Sequence, residues 1–281
     1  MVKLGDDNHL RVSKQVDFGL YLDGGAYGEI LLPKRYVPAG TEVDSSLDVF
    51  IYLDSEDRLV ATTERPKVKV GECAALKVVD SSRPGAFLDW GLPKDLLVPR
   101  NEQSTLIEVG QTHVVYVYID VGTESIVASA RLERHLSELG YYFQAGQAVD
   151  VLIYARSDLG YKAVINHSHL GLLYASEVFQ TLSIGDNLKA YIKQIRPDRR
   201  IDLSLQVPGK VVEEDLPEKI LSYLRAQGGT SDLTDKASPE RIYAEFQVSK
   251  AHFKRALGLL YKQKRIHLSK ERLTLADFES N

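Results

Sequence analysis

The sequence predicts a multi-domain, mainly β chain that ends in an α+β module. Three observations predict it. A pattern of short β-rich stretches recurs at an offset of 66 residues, each stretch is bounded by polar turn residues, and the apolar spacing becomes helical after Pro208-Gly209. The chain has 281 residues, 44% hydrophobic and 26% charged, a composition that excludes collagen-like and largely disordered chains. That length suits about two to four compact domains. No stretch reaches the ~18–20 apolar residues of a membrane span. The N-terminus turns acidic at Asp6-Asp7 with no apolar signal core, so a cytoplasmic protein with no membrane partner is expected.

The repeat carries the strands. Gly19-Leu20-Tyr21-Leu22-Asp23 and Glu29-Ile30-Leu31-Leu32-Pro33 return as Gly85-Ala86-Phe87-Leu88-Asp89 and Asp95-Leu96-Leu97-Val98-Pro99. Tyr52-Leu53-Asp54 falls on Tyr118-Ile119-Asp120, and a third copy follows at an offset of 75, where Gly71-Glu72 meets Gly146-Gln147. Runs such as Leu47–Leu53, Val114–Ile119 and Val149–Tyr154 are rich in β-branched and aromatic residues. About five short strands in a unit this small fit a closed barrel of the OB-fold kind better than a sandwich. The units divide the chain into barrels at 1–64, 65–143 and 144–209. Residues 131–143 form a connector of mixed helical character within the second. Gly24–Gly28 reads as a turn between the second and third strands.

Residues 210–281 have a different period. Asp215 can cap a helix from Leu216, with Pro217 in its first turn and Gly228-Gly229 at its end. Ser238-Pro239 opens a second helix, and Ser249, after the Gln247-Val248 turn, caps a third. In the third, Phe253, Ala256, Leu257, Leu260 and Tyr261 follow the spacing of a core-facing stripe, while Lys250, Lys254 and Lys262 share another face. Ile266–Ser269 and Leu273–Leu275, joined by Lys270-Glu271-Arg272, predict a two-stranded wing. Three helices and a hairpin make a winged helix, whose third helix is the reader in groove-binding examples.

Net charge is −4 overall, but it is unevenly spread. Residues 1–64 hold six basic against twelve acidic residues, whereas 144–209 hold seven against six and 210–281 thirteen against eleven. A polyanion is therefore expected on the C-terminal half, at Lys189, Lys193, Arg196, Arg199 and Arg200 and along Arg241–Arg272. The basic face of the third helix is nearly all lysine, which meets phosphate without reading sequence. Winged helices also dock proteins, so duplex nucleic acid and a protein partner both stay open for this module.

Catalytic chemistry finds no foothold. The glycine loop Gly24-Gly25-Ala26-Tyr27-Gly28 lacks the Lys-Ser/Thr ending of a phosphate loop. His167 and His169 are the one close histidine pair and have no third ligand, so no metal and no cofactor are expected. Lone Cys73 sits on a predicted strand and reads as a small buried residue. A non-enzymatic protein is expected.

The third unit carries the most specific string. Gly146-x-x-Val149-x-Val151 is followed by Leu159-Gly160-Tyr161-Lys162-Ala163-Val164, Leu170-Gly171-Leu172-Leu173-Tyr174-x-Ser176-Glu177 and Arg199-Arg200-Ile201-Asp202-Leu203-Ser204. It resembles the OB-type RNA-binding domain named after the ribosomal small-subunit protein S-one. Three such units before a basic winged helix resemble the bacterial conserved virulence factor B family across essentially the whole chain. That resemblance implies an RNA-binding, post-transcriptional regulator. It places stacking aromatics at Tyr21, Phe87 and Tyr161, with Phe18 also matching in the first unit and Tyr174 near the usual third-strand histidine. The nearby cations would meet phosphate, and Lys162 should point to the face opposite Tyr161.

The combined expectation is single-stranded RNA held by Tyr161, Tyr174, Lys162, Lys193, Arg196, Arg199 and Arg200, with Phe87 and Tyr21 as auxiliary positions. Lys250, Lys254, Lys262, Lys264 and Arg265 extend the electrostatic track along the winged helix. A DNA-binding transcription regulator and a non-enzymatic protein-interaction adaptor are the rival readings.

Overall fold

A computed structural model describes residues 2–178, 180–206, 216–246, 248–269 and 271–276. Its N-terminal three quarters form three closed five-stranded barrels of identical strand order, 1-2-3-5-4. Barrel 1 is built from β1 (Asp7–Val16), β2 (Gly19–Asp23), β3 (Glu29–Pro33), β4 (Ser46–Leu53) and β5 (Leu59–Thr62). Barrel 2 follows with β6 (Cys73–Ser81), β7 (Gly85–Asp89), β8 (Leu96–Pro99), β9 (Thr112–Ile119) and β10 (Ile126–Ser129). Barrel 3 has β11 (Ala148–Ser157), β12 (Gly160–Ile165), β13 (His169–Tyr174), β14 (Asn187–Ile195) and β15 (Ile201–Ser204).

Each barrel closes for the same local reason. Its long first strand pairs with both the second and the fourth strands, and it bends at a bulge within its pairing with the second. The bulges lie at Val12/Lys14, Val78/Asp80 and Ile153/Ala155. A bulge adds twist to one strand and lets a small sheet curl shut. The second strand then opens on a glycine that nothing larger could replace. A Cβ on Gly19, Gly85 or Gly160 would lie 2.1–2.2 Å from the carbonyl oxygen of Leu32, Val98 or Leu173 respectively. These three glycines are therefore structurally equivalent and fix the register of everything after them.

Strand alternation fills the interiors. Leu20, Leu22, Ile30 and Leu32 line barrel 1, Ala86, Leu88, Leu96 and Val98 line barrel 2, and Ala163, Ile165 and Leu173 line barrel 3. Gly25–Tyr27 form a single 3-10 turn between β2 and β3, as the glycine loop suggested. Cys73 is buried at the start of β6, and burial pushes its thiol up to about 12. Trp90 is buried too, with Nε1 donating to the Lys94 carbonyl at 2.6 Å, so it packs rather than stacks on a ligand.

The barrels are packed against one another. Phe50, Tyr52 and Val60 of barrel 1 share a buried cluster with the barrel 2 core, where Phe50 meets Trp90 edge-on at 5.9 Å. Leu132, Leu136, Cys73 and Val114 cluster with Leu152, Val164 and Leu170 of barrel 3. Residues 131–143 depart from the helical expectation. Only Leu132–Arg134 make a 3-10 turn, and the rest is held to barrel 3 by tertiary contacts instead of helical ones. Ser137 exchanges backbone hydrogen bonds with Ser168 and Leu170, and Gly140 donates to the Arg199 carbonyl at 2.9 Å.

The C-terminal module has its own core. It comprises α1 (Leu216–Ala226), β16 (Thr230–Ser231), α2 (Pro239–Phe246), α3 (Lys250–Lys262), β17 (Ile266–Leu268) and β18 (Leu273–Leu275). Phe253, Leu257 and Leu260 of α3 pack on Ile220 and Leu224 of α1 and Ile242 of α2. Ser249 caps α3, accepting from the His252 backbone N–H at 3.2 Å. Two expectations are corrected. The wing is three-stranded, because Thr230–Ser231 pairs with β18. Tyr261 is 57% exposed instead of buried. At 100° per residue it lies about 80° around the helix from Phe253, beyond the edge of the apolar stripe. The Pro208-Gly209 boundary, the Asp215 cap, Gln247 and Lys270 lie outside the described residues.

Candidate nucleic-acid interface

The glycine register assigns the outward positions of each barrel. Two residues after the glycine come Tyr21, Phe87 and Lys162, which pair across the sheet with Leu31, Leu97 and Leu172. Tyr161 instead occupies the position of buried Leu20 and Ala86 and packs half-buried against the barrel 3 core. The expected aromatic series Tyr21–Phe87–Tyr161 is thus corrected to Tyr21–Phe87–Lys162. Lys162 and Tyr161 do point to opposite faces, and Lys162 is the one on the outer surface.

Around Lys162 the outer face of barrel 3 forms a groove of about 330 Å³. Leu159, Leu170, Leu172 and Ile201 supply its apolar wall, and Lys162, Arg196 and Arg200 its cations. Arg196 is held in place from two sides. Its Nε donates to Asp202 Oδ1 at 2.7 Å and its Nη2 to the Tyr174 hydroxyl at 2.8 Å. Asp202 is only 1% exposed, and Gln194 Nε2 donates to its other oxygen at 2.8 Å. The hydrogen bond to Asp202 raises the Arg196 guanidinium above its ordinary range, so Arg196 stays protonated and fixed in place, with its charge answered by the Asp202 carboxylate. Breaking such a shielded pair by removing one partner leaves an uncompensated charge, which is why the arrangement is rigid.

The other cations of the expected site differ in freedom. Lys162 is exposed and has no ion-pair partner among the described residues. Lys193 is bonded to Glu177, and Arg200 lies 3.2 Å from Glu138. Arg199 sits over the Tyr141 ring, 5.5 Å from its centroid, away from Tyr174. The structure thus gathers Tyr174, Lys162, Arg196 and Arg200 about one groove, whereas Tyr161 faces the interior and Lys193 is engaged by Glu177.

Sequence reasoning missed Asp202. The signal was present in the repeat, since the fifth strands read Leu59-Val60-Ala61-Thr62, Ile126-Val127-Ala128-Ser129 and Ile201-Asp202-Leu203-Ser204. Val60 pairs in parallel with Leu31, Val127 with Leu97 and Asp202 with Leu172. A carboxylate replaces valine at one position of one barrel.

Barrel 1 presents different chemistry on the same face. Tyr21 meets Phe18 edge-on at 6.2 Å, and Lys14 Nζ sits 4.6 Å from its ring centroid. Lys14 is in turn bonded to Glu29 at 2.7 Å, so its charge is largely answered within the barrel. Phe87 of barrel 2 is half-buried, and its β6 neighbour across the sheet is Asp80.

On the winged helix, Lys254, Lys262 and Lys264 are exposed and Lys250 is half-buried. Lys254 lies 3.8 Å from Asp235, and Arg265 is tied to Glu218 of α1 at 2.5 Å. Gly258 occupies the missing step of the Lys250, Lys254, Lys262 series, and a Cβ built on it would meet nothing within 4 Å.

With this geometry in hand, comparison with known proteins assigns both domain types. Residues 4–64 match the S1 domain, and residues 218–275 match the CvfB-like winged helix domain. Conserved virulence factor B of Staphylococcus aureus (strain bovine RF122 / ET3-1) is 29% identical over 255 residues, covering 83% of this chain and 80% of that protein. The chain is similar to the conserved virulence factor B proteins over most of its length. Another member of this similarity group is the Bacillus subtilis (strain 168) protein named "Uncharacterized protein YitL", 28% identical over 274 residues, covering 94% and 90% of the two chains. A crystal structure of a multidomain protein with nucleic acid binding domains from Streptococcus pneumoniae TIGR4 spans 97% of this chain and 98% of its own, at 24% identity and a TM-score of 0.43. The S1 and winged-helix domain types matched here point to nucleic-acid binding. Among the described residues, no helix is long and apolar enough to cross a membrane, and no three His, Cys, Asp or Glu side chains are grouped to hold a metal.

Proposed function

We propose that this protein binds single-stranded RNA and regulates messenger RNA after transcription, in the cytoplasm and without catalysing a reaction. Barrel 3 holds the strand and the basic winged helix extends the contact. The observation that carries this reading is the barrel 3 groove, where an apolar wall runs beside a lysine with no ion-pair partner among the described residues and an arginine fixed by a buried carboxylate. Bases find apolar surface there and phosphates find cations, the combination by which single strands are held with little sequence preference. The lysines of α3 suit backbone contact rather than base reading.

Barrel 1 supports a second, auxiliary strand site. Its outward Tyr21 and exposed Phe18 form an aromatic surface within the S1 match, though in the most acidic part of the chain. Fluorescence anisotropy with a labelled single-stranded RNA and a duplex DNA of equal length, at two salt concentrations, tests the proposal. Tighter, salt-sensitive binding of the RNA is expected. Tighter binding of the duplex would turn the reading toward a DNA-binding regulator acting through the winged helix. Weak binding of both, beside a stable protein complex, would make it an adaptor.

A further inference from the structure

One feature of the surface has no role in the barrel cores or in the groove. Tyr141 and Tyr142 are the central residues of a turn in which Phe143 N–H donates to the Gly140 carbonyl at 3.4 Å. They are 62% and 89% exposed. The turn is held firmly on both sides. Gly140 is buried so tightly that a Cβ there would come 2.7 Å from Ile201 Cγ1, and Phe143 packs edge-on against His169 at 4.9 Å. Two neighbouring rings are therefore pushed into solvent by a rigid support.

Central turn positions ordinarily take Gly, Asn, Asp, Ser or Pro, because short polar side chains satisfy the backbone there. A tyrosine pair breaks that preference, and among the described residues the rings stay largely exposed, with only the Arg199 guanidinium over Tyr141. Such an uncompensated local conflict is the kind expected at functional positions. The charge beside the rings points to the occupant. The Arg199 guanidinium carbon lies 5.5 Å from the Tyr141 centroid, and Arg199 has no ion-pair partner among the described residues. Its backbone is left-handed, φ +67°, at the turn between β14 and β15. Next to it, Arg200 and Glu138 pair with each other, and both also line the barrel 3 groove. The rings thus lie three and four residues beyond one groove-lining residue, Glu138, and Arg199 is the chain neighbour of another, Arg200.

We infer that the Tyr141–Tyr142 turn is a stacking platform that takes nucleobases of a single-stranded RNA leaving the barrel 3 groove, with Arg199 meeting the adjacent phosphate. Aromatic faces accept any base, and a guanidinium beside the ring adds attraction for the backbone. The inference rests on the reading of barrel 3 as an RNA-binding face and extends the site beyond the barrel.

The test uses the full chain and a fluorescent oligouridine of about twelve nucleotides. Tyr141→Ala/Tyr142→Ala should weaken binding about tenfold, the lower part of what one stacked base contributes. The slope of log affinity against log salt should stay unchanged, since no counterion-releasing contact is lost. Arg199→Ala should instead reduce that slope by about 0.7. Tyr142→Trp should keep the affinity, and its emission should be quenched by the oligonucleotide against the wild-type baseline from Trp90. All three side chains are exposed, so melting temperature should not move. Affinity within twofold of wild type for the double alanine variant, with no quenching in Tyr142→Trp, overturns the platform while the barrel 3 reading stands. Absence of RNA binding by the wild-type protein overturns both. Retained RNA affinity with loss of a protein complex assigns the rings to a protein partner and overturns the inference.

Discussion

Barrel 1 and barrel 3 have the same strand order, the same first-strand bulge and the same entry glycine, and they differ in what stands on their outer face. Two residues past the glycine, barrel 1 carries Tyr21 and barrel 3 carries Lys162. On the fifth strand, barrel 1 carries Val60, buried against barrel 2, and barrel 3 carries Asp202, buried beneath Arg196. The lesson is that the interior alternation, shared by both, sets the barrel, while two outward positions decide whether its face is aromatic and acidic or apolar and cationic. Fold alone does not decide which barrel binds.

The largest expected effect comes from erasing the fifth-strand difference. Asp202→Val installs the residue type of the other two barrels but leaves the Arg196 charge without its partner. A loss of about 3 kcal/mol in barrel 3 stability is expected by urea denaturation, as when one side of a buried pair is removed. Asp202→Val/Arg196→Met should recover most of that stability, because well-packed apolar pairs often replace buried ion pairs without loss. Recovery of stability without recovery of RNA affinity would separate the structural from the binding role of Arg196.

The shared barrels are legible in the sequence, and the outer-face contrast is not. The offset of 66 residues located the strands of barrels 1 and 2, and five short strands per unit gave the closed barrel. The misplacement of Tyr161 shows where reading by residue type fails. Matching aromatic to aromatic put Tyr161 beside Tyr21, whereas counting from the glycine, Gly19-Leu20-Tyr21 against Gly160-Tyr161-Lys162, puts Lys162 there. A strand has a period of two, so an error of one residue exchanges inside for outside. The connector was misread because its charged and apolar residues suit a helix locally, but its backbone is claimed by Ser168, Leu170 and Arg199 of barrel 3. Tyr174's hydroxyl partner and the engagement of Lys193 by Glu177 depend on pairings between distant strands, which no local pattern shows.

A mid-sized effect extends the comparison to the C-terminal module. Gly258 interrupts α3 on its exposed basic face, where it costs helix stability and relieves no clash. Gly258→Ala should raise the module's stability by about 1 kcal/mol. If the glycine instead serves close approach of a nucleic-acid backbone, the same variant will weaken binding while melting higher, a split that thermal unfolding and anisotropy together detect. Unchanged binding would confine Gly258 to helix propensity.

The smallest effect concerns acid sensitivity. Burial holds His169, beside Phe143 in barrel 3, and His113 of barrel 2 below the ordinary histidine value of 6.5. The unfolded chain then takes up protons more readily than the folded one. Stability is complete above about pH 6.5 and declines as pH falls through the depressed folded values. Urea midpoints should therefore drop modestly between pH 7.5 and 5.5, by less than about 1 kcal/mol in free energy, and His169→Gln should flatten part of that fall. An unaltered slope in the variant would remove His169 as a contributor. The buried Glu102 adds to the loss only at lower pH. Desolvation pushes its carboxyl up, but hydrogen bonds from Ser129 and His135 and the nearby Arg134 outweigh it and leave it below its usual range.

The contrast between the two barrels is tested most directly by comparing Lys162→Glu with Tyr21→Ala in the full-length protein, using single-stranded RNA at two salt concentrations. Lys162→Glu should weaken binding by about tenfold or more and lower the salt slope by about 0.7 or more, because a phosphate contact is removed and repulsion added. Tyr21→Ala should change affinity less than about threefold, below the ~1–3 kcal/mol range of a fully stacked base. The reverse ranking, a large loss at Tyr21 and none at Lys162, would contradict the account and place the principal RNA site on barrel 1.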